Sequence, residues 1–426
     1  MSGARRYYRT NEEQFVVGID IAKNTHWANM DDGQSKPFAF MNTRDGYELF
    51  IKKVEAARER AGIPAGQKII VGMEPTGHYW KALGYALKDT ERFKVVLVNP
   101  YHTKLAKELM DNSKLKSDPK DSRTICDLVR NGKVLRERLP EGAYANLRGY
   151  YSLWRYLSKQ RQRLKSRIER LVTEYFPEYD GFFAGLMCAT SRRMLERYGL
   201  AWGVREADMA SFERLITKAS RGAVSRERAR ELWNLAKQSI GHERGKEAAS
   251  LEIETLLNQW KQLDDEEEEV EAAMSKELEL CKEAKYLLTF PSMSVVLVCG
   301  FLGATGPLSN FHNYRELEKL AGMNLYEISS GEHKGKRHFS KRGRDDLRHV
   351  IYLVTMLALG RVDEFNKLYH ARLEERPKDK KMLVVGGLMA KTMRILFHLG
   401  KHSLSYDATR ISLSEVNERK KEEIKH

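Results

Sequence analysis

Cysteine is scarce: Cys126, Cys188, Cys281 and Cys299 are the only four in 426 residues, and no two form a Cys-x-x-Cys pair. Neither a disulfide scaffold nor a zinc ribbon is built that way, and a reducing cytoplasm is the expected setting. Proline is equally sparse, with 10 residues, which excludes collagen-like and low-complexity chains. No apolar run approaches the roughly 18 residues of a membrane span, so no membrane partner is expected. The first residues, Met1 to Gln14, include arginines but no apolar stretch behind them, and no secretory leader is read there. What the chain has in excess is positive charge: 74 Lys and Arg stand against 59 Asp and Glu, a formal +15 at pH 7. That balance points to a polyanionic partner, nucleic acid before a membrane surface. With 42% hydrophobic residues and this length, more than one domain with well-filled cores is expected.

The hydropathy pattern changes along the chain. Up to about residue 140, short β-rich runs alternate with helical stretches: Phe15 to Ala22, Pro37 to Met41, Lys68 to Glu74 and Phe93 to Pro100, with a helix expected over 44–61. This predicts an α/β domain with a mixed sheet containing parallel neighbours. From 141 to 285 the reading is almost wholly helical. Leu147, Tyr150, Trp154, Leu157, Leu164, Ile168 and Leu171 recur at helical spacing, as do Ile253, Leu256, Trp260, Leu263, Val270, Met274 and Cys281. Two long helices forming an antiparallel coiled coil are predicted, and the acidic block Asp264 to Glu269 is expected to be a solvated face. A third, mainly helical domain is expected over 286–410, followed by a charged tail at 411–426.

Four carboxylates are the strongest candidates for chemistry. Asp20 ends the run Val-Val-Gly-Ile-Asp and Glu74 ends Ile-Val-Gly-Met-Glu, so each sits at the carboxyl end of a strand with a glycine two residues before it. Asp118 and Asp121 are three apart, which places them on one face of a helix. Taken singly, each reads as a turn residue or helix cap. Together they make a set of hard oxygen donors suited to Mg²⁺ or Mn²⁺ beside a phosphodiester.

Basic residues cluster in three places. The helix from Arg148 to Arg170 holds eight Lys and Arg and one acid, Glu169; Arg155, Lys159, Arg163 and Arg167 are candidate nucleic-acid contacts. A polar loop opens at Ser329-Ser330-Gly331 and carries Lys334, Lys336, Arg337, Lys341, Arg342 and Arg344, candidate phosphate ligands. A third basic stretch spans Arg361 to Arg394, where Phe365 and Tyr369 are expected stacking platforms. His102, His333 and His338 read as phosphate or surface contacts rather than metal ligands.

The order of these segments resembles a known family. Gly18-Ile19-Asp20-Ile21-Ala22-Lys23, Glu74-Pro75-Thr76-Gly77, Val98-Asn99-Pro100 and Ser117-Asp118-Pro119-Lys120-Asp121-Ser122 are similar to the successive signatures of the DEDD insertion-sequence transposases, the insertion sequence 110 family. Leu288-Thr289-Phe290-Pro291, Leu320-Ala321-Gly322-Met323, Ser330-Gly331 and Ser340-Lys341-Arg342-Gly343 resemble its second domain. Two positions depart from the pattern: Pro291-Ser292-Met293-Ser294 replaces Pro-Gly-x-Gly, and Leu325 stands where a proline follows Gly322 in the family.

The resemblance implies a RuvC-like N-terminal domain of ribonuclease-H fold, metal held by Asp20, Glu74, Asp118 and Asp121, and a catalytic serine at Ser330, with Ser329 as its rival. It implies a transposase that cuts and rejoins donor and target DNA through a covalent phosphoserine intermediate. Such proteins assemble as dimers and tetramers and are guided by a bridge RNA. The alternative is a metal-dependent endonuclease resembling a Holliday-junction resolvase, with no covalent intermediate; a second rival is a non-catalytic relative that only binds nucleic acid.

Overall fold

A computed structural model describes residues 14–75, 77–111, 118–135, 140–326, 338–374 and 381–408. The chain divides into two units, 1–139 and 140–426. The first is built on β1 (Val16–Asp20), β2 (Thr25–Met30), β3 (Phe38–Met41), β4 (Ile69–Met73), β5 (Phe93–Val98) and β6 (Val134–Leu135). Their order is β3-β2-β1-β4-β5-β6. The central three, β1, β4 and β5, run parallel, and the outer pairings are antiparallel. Four helices connect or cover them: α1 (Arg44–Arg60), α2 (Trp80–Lys88), α3 (Pro100–Asp111) and α4 (Asp118–Arg130).

Strand periodicity sorts the sheet's two faces. Val17 and Ile19 of β1 and Ile69, Val71 and Met73 of β4 join a core with Phe50 and Val54 of α1 and Leu83 and Leu87 of α2. Val16 and Ile70 face the other way, against Ile125, Cys126 and Val129 of α4. Thr43 starts α1 by accepting a hydrogen bond from the Gly46 amide. Asn99 does the same service for α3: its side chain accepts from the Tyr101 amide at 3.0 Å and its carbonyl from His102 at 2.8 Å.

Among the described residues the second unit is helical apart from one short hairpin. Its elements are α5 (Gly142–Tyr175), α6 (Ala189–Tyr198), α7 (Ala201–Glu206), α8 (Met209–Ala219), α9 (Arg226–Lys237), α10 (Lys246–Leu278), α11 (Ala284–Leu287), α12 (Val295–Thr305) and α13 (Tyr314–Leu320). The hairpin β7 (Leu325–Tyr326) and β8 (His338–Phe339) precedes α14 (Asp345–Arg361), α15 (Asp363–Glu374) and α16 (Lys381–His402).

The two long helices pair antiparallel. Asn146 bonds Glu277 at 3.0 Å, Trp154 bonds Glu271 at 3.1 Å, Arg161 meets Glu267 at 2.5 Å and Arg167 meets Glu252 at 2.6 Å, so partners descend on α10 as they ascend on α5. At one end of the pair Ile168, Leu171, Ile253 and Trp260 share a core with α6 to α9. At the other, Leu147, Tyr151, Val270 and Met274 share one with α12, α14 and α16. By length and composition α16 is apolar enough to cross a membrane, but it is the centre of this core, with Leu388, Met393 and Leu396 wholly buried.

Three expectations change. β2 is an additional strand that the sequence reading passed over. The acidic block is only partly solvated: Glu267 is buried and Asp264 is bonded to Arg161, because these acids, three apart, share the face turned to α5. Phe365 is no stacking platform; it is fully buried and packs edge-on against Phe290 at 6.0 Å.

Candidate active site and nucleic-acid interface

The parallel ladder between β1 and β4 matches Gly18 with Gly72 and Ile19 with Met73. Asp20 and Glu74 therefore follow at the same level, on strands about 4.8 Å apart, both half-buried. The period of two also puts Asp20 on the face of Gly18, and Glu74 on the face of Gly72. That face is covered by α4. A methyl group at Gly18 would collide with the Cys126 amide nitrogen and the Ser122 carbonyl, and one at Gly72 with a Val129 methyl. The two glycines thus let α4 lie directly on the sheet.

The helix runs antiparallel to β1. Cys126 lies over Val16 and Ser122 over Gly18, which leaves the first turn of α4 at the strand's carboxyl end. Asp118 opens that turn, and Asp121 follows one turn later. Asp121 is 3% exposed, and its carboxylate is met by the Lys107 ammonium of α3 at 2.5 Å. Ser122 and Thr124 are fully buried and return their hydroxyls to the Pro119 and Lys120 carbonyls at 2.9 and 3.0 Å. The side chain of Asp118 lies outside the described residues, and among those described no three acids, histidines or cysteines converge as a metal cluster. Chemically the donor set fits a hard divalent cation, since it consists of carboxylates with no thiol or imidazole among them.

Two residues that the sequence did not single out belong here. Lys107 supplies Asp121 with a counter-charge, and nothing in its position along α3 announces that role. Trp27 stands directly opposite Asp20 in the antiparallel ladder and so shares its face of the sheet. The turn after β4 requires a positive φ at Gly77, 62°, which accounts for the glycine of Glu-Pro-Thr-Gly.

In the second unit, Ser329, Ser330, His333, Lys334, Lys336 and Arg337 lie outside the described residues. The bases of their segment are described: Leu325 pairs with Phe339 and Tyr326 with His338. Beyond β8 the chain is strapped to the end of α13. The Ser340 amide donates to the Asn324 carbonyl at 2.9 Å, the Lys341 amide to Gly322 at 2.9 Å and the Arg344 amide to Leu320 at 2.7 Å. Gly322, φ 66°, and Gly343 pack backbone on backbone, with no room for a side chain at either. Of the family's replaced glycines, Ser292 is fully buried and Ser294 caps α12 by accepting from the Leu297 amide.

The proposed phosphate ligands separate by environment. Lys341 and Arg342 are exposed. Arg344 is turned inward; its guanidinium grips Asp346 at 2.6 and 3.1 Å. Burial alone would raise the Asp346 carboxyl, but the Arg344 fork outweighs it and holds that group below the usual carboxylate range. Arg155 and Lys159 of α5 come close to His349 of α14; burial first, then these two charges, lowers its imidazole. Lys159 and Arg163 are exposed, whereas Arg167 shares Glu252 with Arg170.

Comparison with known proteins gives two family matches, the first of which runs past the end of the first unit and through α5. Residues 17–177 match a family described as a transposase, the DEDD transposase of IS110 type. Residues 284–370 match the transposase IS116/IS110/IS902 family. A relative, the insertion element IS116 uncharacterized 44.8 kDa protein of Streptomyces clavuligerus, is 24% identical over 361 residues, 83% of this chain and 86% of that protein.

Proposed function

Because the chain carries both transposase domains of the IS110 family and is a DNA-cleaving, strand-transferring enzyme, we propose that it moves an insertion sequence by a two-part chemistry. A divalent metal ion is implied by the DEDD family; in this reading it is Mg²⁺ or Mn²⁺, held by Asp20, Glu74, Asp118 and Asp121. When bound, it neutralises phosphate charge beside the scissile bond. The single observation that supports the site best is the register of Asp20 beside Glu74 under the first turn of α4. The strand order, with its parallel centre and antiparallel flank, is what a ribonuclease-H-like, RuvC-like domain would show.

Ser330 is the proposed nucleophile. Its hydroxyl oxygen forms a bond to phosphorus as the DNA P–O bond breaks, and the leaving strand departs with a hydroxyl end. Attack by a second strand's hydroxyl on the phosphoserine restores the serine and seals the new junction, so the phosphodiester energy is conserved. Lys334, Lys336, Arg337, Lys341 and Arg342 stabilise the phosphate charge from the same segment. The working particle in this reading is a homodimer assembling to a tetramer, acting on donor and target DNA and directed by a bridge RNA.

The test uses end-labelled element DNA with full-length protein and Mg²⁺. Wild type and Ser329→Ala form a protein–DNA adduct stable to denaturant; Ser330→Ala does not, and Asp20→Ala cuts nothing. Cleavage by Ser330→Ala at the wild-type rate without an adduct overturns the serine mechanism in favour of resolvase-like hydrolysis. Sequencing the RNA recovered with the protein from cells holding the intact element tests guidance; absence of a discrete species overturns it.

A further inference from the structure

Partway along the long helix pair, α5, α10 and the start of α6 enclose a polar cleft of about 420 Å³, lined by Arg161, Gln162, Lys165, Arg192, Trp260 and Asp264. Its chemistry is organised by Asp264. One carboxylate oxygen accepts from the Arg161 guanidinium at 3.3 Å; the other accepts from the Trp260 indole at 3.1 Å and from Arg192. Arg161 is further held by Glu267 at 2.5 Å and lies over the Trp260 ring at 5.6 Å. Both arginines stay about one-third exposed, 35% and 31%, so they are oriented without being withdrawn from solvent. Lys165, one turn along α5 from Arg161, has no acid partner among the described residues and adds a third cation.

We propose that this cleft is a phosphodiester-binding site for a nucleic-acid strand lying along the helix pair, with Arg161, Lys165 and Arg192 as donors and Asp264 as the residue that positions both guanidiniums. A planar guanidinium fixed in advance loses little freedom when it takes up a phosphate oxygen pair. Arg161 and Lys165 are separated by about 6 Å along the axis, so both reach oxygens of one phosphate or of adjacent ones. The same helix carries exposed Lys159 and Arg163 on another of its faces, and along its sequence a row of eight bases stands against one acid from Arg148 to Arg170. Such a one-signed row suits a linear polyanion rather than an acidic protein segment. The proposal rests on the chain's action on nucleic acid but not on the assignment of Ser330 or of the metal ligands, so either can fail alone.

The experiment measures binding of full-length protein to a labelled random-sequence RNA strand and to labelled random duplex DNA from 50 to 200 mM salt. Lys165→Ala/Arg192→Ala should lower affinity about tenfold for at least one probe, and it should flatten the log–log salt slope by about 1.4 for a single strand or 1.8 for a duplex. The probe that responds names the strand. Lys165→Ala alone, at a side chain with no partner to lose, should flatten the slope by about half as much. Lys218→Ala, an exposed lysine of α8, should leave the slope unchanged. Asp264→Asn is decisive. If Asp264 only repels the strand, its removal tightens binding; if it positions the arginines, binding weakens several-fold at an unchanged melting temperature. Wild-type affinity and slope in the double variant, or tighter binding in Asp264→Asn, overturns the proposal.

Discussion

At Gly18 one hydrogen atom in place of a methyl group decides where α4 can lie. The atoms an added Cβ would strike are backbone, the Cys126 nitrogen and the Ser122 carbonyl, so no rotamer relieves the clash and the helix must lift from the sheet. Gly18→Ala is expected to cost about 3 kcal/mol in urea unfolding and to abolish strand cleavage. Gly72→Ala meets only a Val129 methyl and should cost about half that. The sequence already showed a glycine two residues before each strand-end acid. What it could not show was the partner: that both glycines serve the helix bearing Asp118 and Asp121 follows from the sheet register. Lys107 was likewise illegible, since its pairing with Asp121 depends on how α3 and α4 fold against each other. Lys107→Met leaves a 3%-exposed carboxylate without its cation. Because Lys107 is itself 30% exposed, the loss is discounted to about 2 kcal/mol. It should be largest in EDTA and shrink when millimolar Mg²⁺ is added, as differential scanning fluorimetry would show; an equal loss in both buffers would mean that no cation takes the ammonium's place at Asp121.

Helical elements were more legible than strands. The long pair announced itself because two sustained 3/4 patterns of large apolar residues have no other economical burial, and Leu147, Ile168, Ile253 and Met274 are all buried as that pattern requires. β2 escaped because Thr25, His26 and Asn29 interrupt it with polar side chains. Yet His26 is fully buried against Phe40, and Asn29 is buried on the opposite face, so its polarity reflects two occupied sides rather than a turn. The acidic block misled for a related reason: a run of like charges reads as solvated, and only the facing helix reveals which member turns inward. Arg161→Met would strand the buried Glu267 anion and should destabilise by about 2–3 kcal/mol, whereas Arg161→Met/Glu267→Leu should recover most of it in a double-mutant cycle. Another buried acid, Glu283, ties α5 to the segment after α12 by accepting from the Tyr144 hydroxyl at 2.7 Å and the Leu308 amide at 3.0 Å. Glu283→Ala leaves both donors unmet and should cost about 3 kcal/mol; Glu283→Gln, which keeps an acceptor, should cost clearly less by the same denaturant titration.

For the molecule as a whole, each of the two units has hydrophobic cores of its own. The sheet cores around Phe50 and around Ile125 draw only on residues of the first unit, while the helical cores around Phe301 and Phe212 draw only on the second. Separate cores allow separate unfolding, so calorimetry should resolve more than one transition rather than a single two-state event. All four acids, Asp20, Glu74, Asp118 and Asp121, belong to the first unit. A cation bound by them stabilises that unit by mass action, about 2.7 kcal/mol at a concentration one hundred times Kd, and leaves the helical transition where it was. Mn²⁺ is therefore expected to raise one transition only, and Asp20→Ala should remove that rise without moving the other. If Mn²⁺ raised the helical transition instead, or if the rise survived in Asp20→Ala, the strand-end carboxylates would not be where the ion binds.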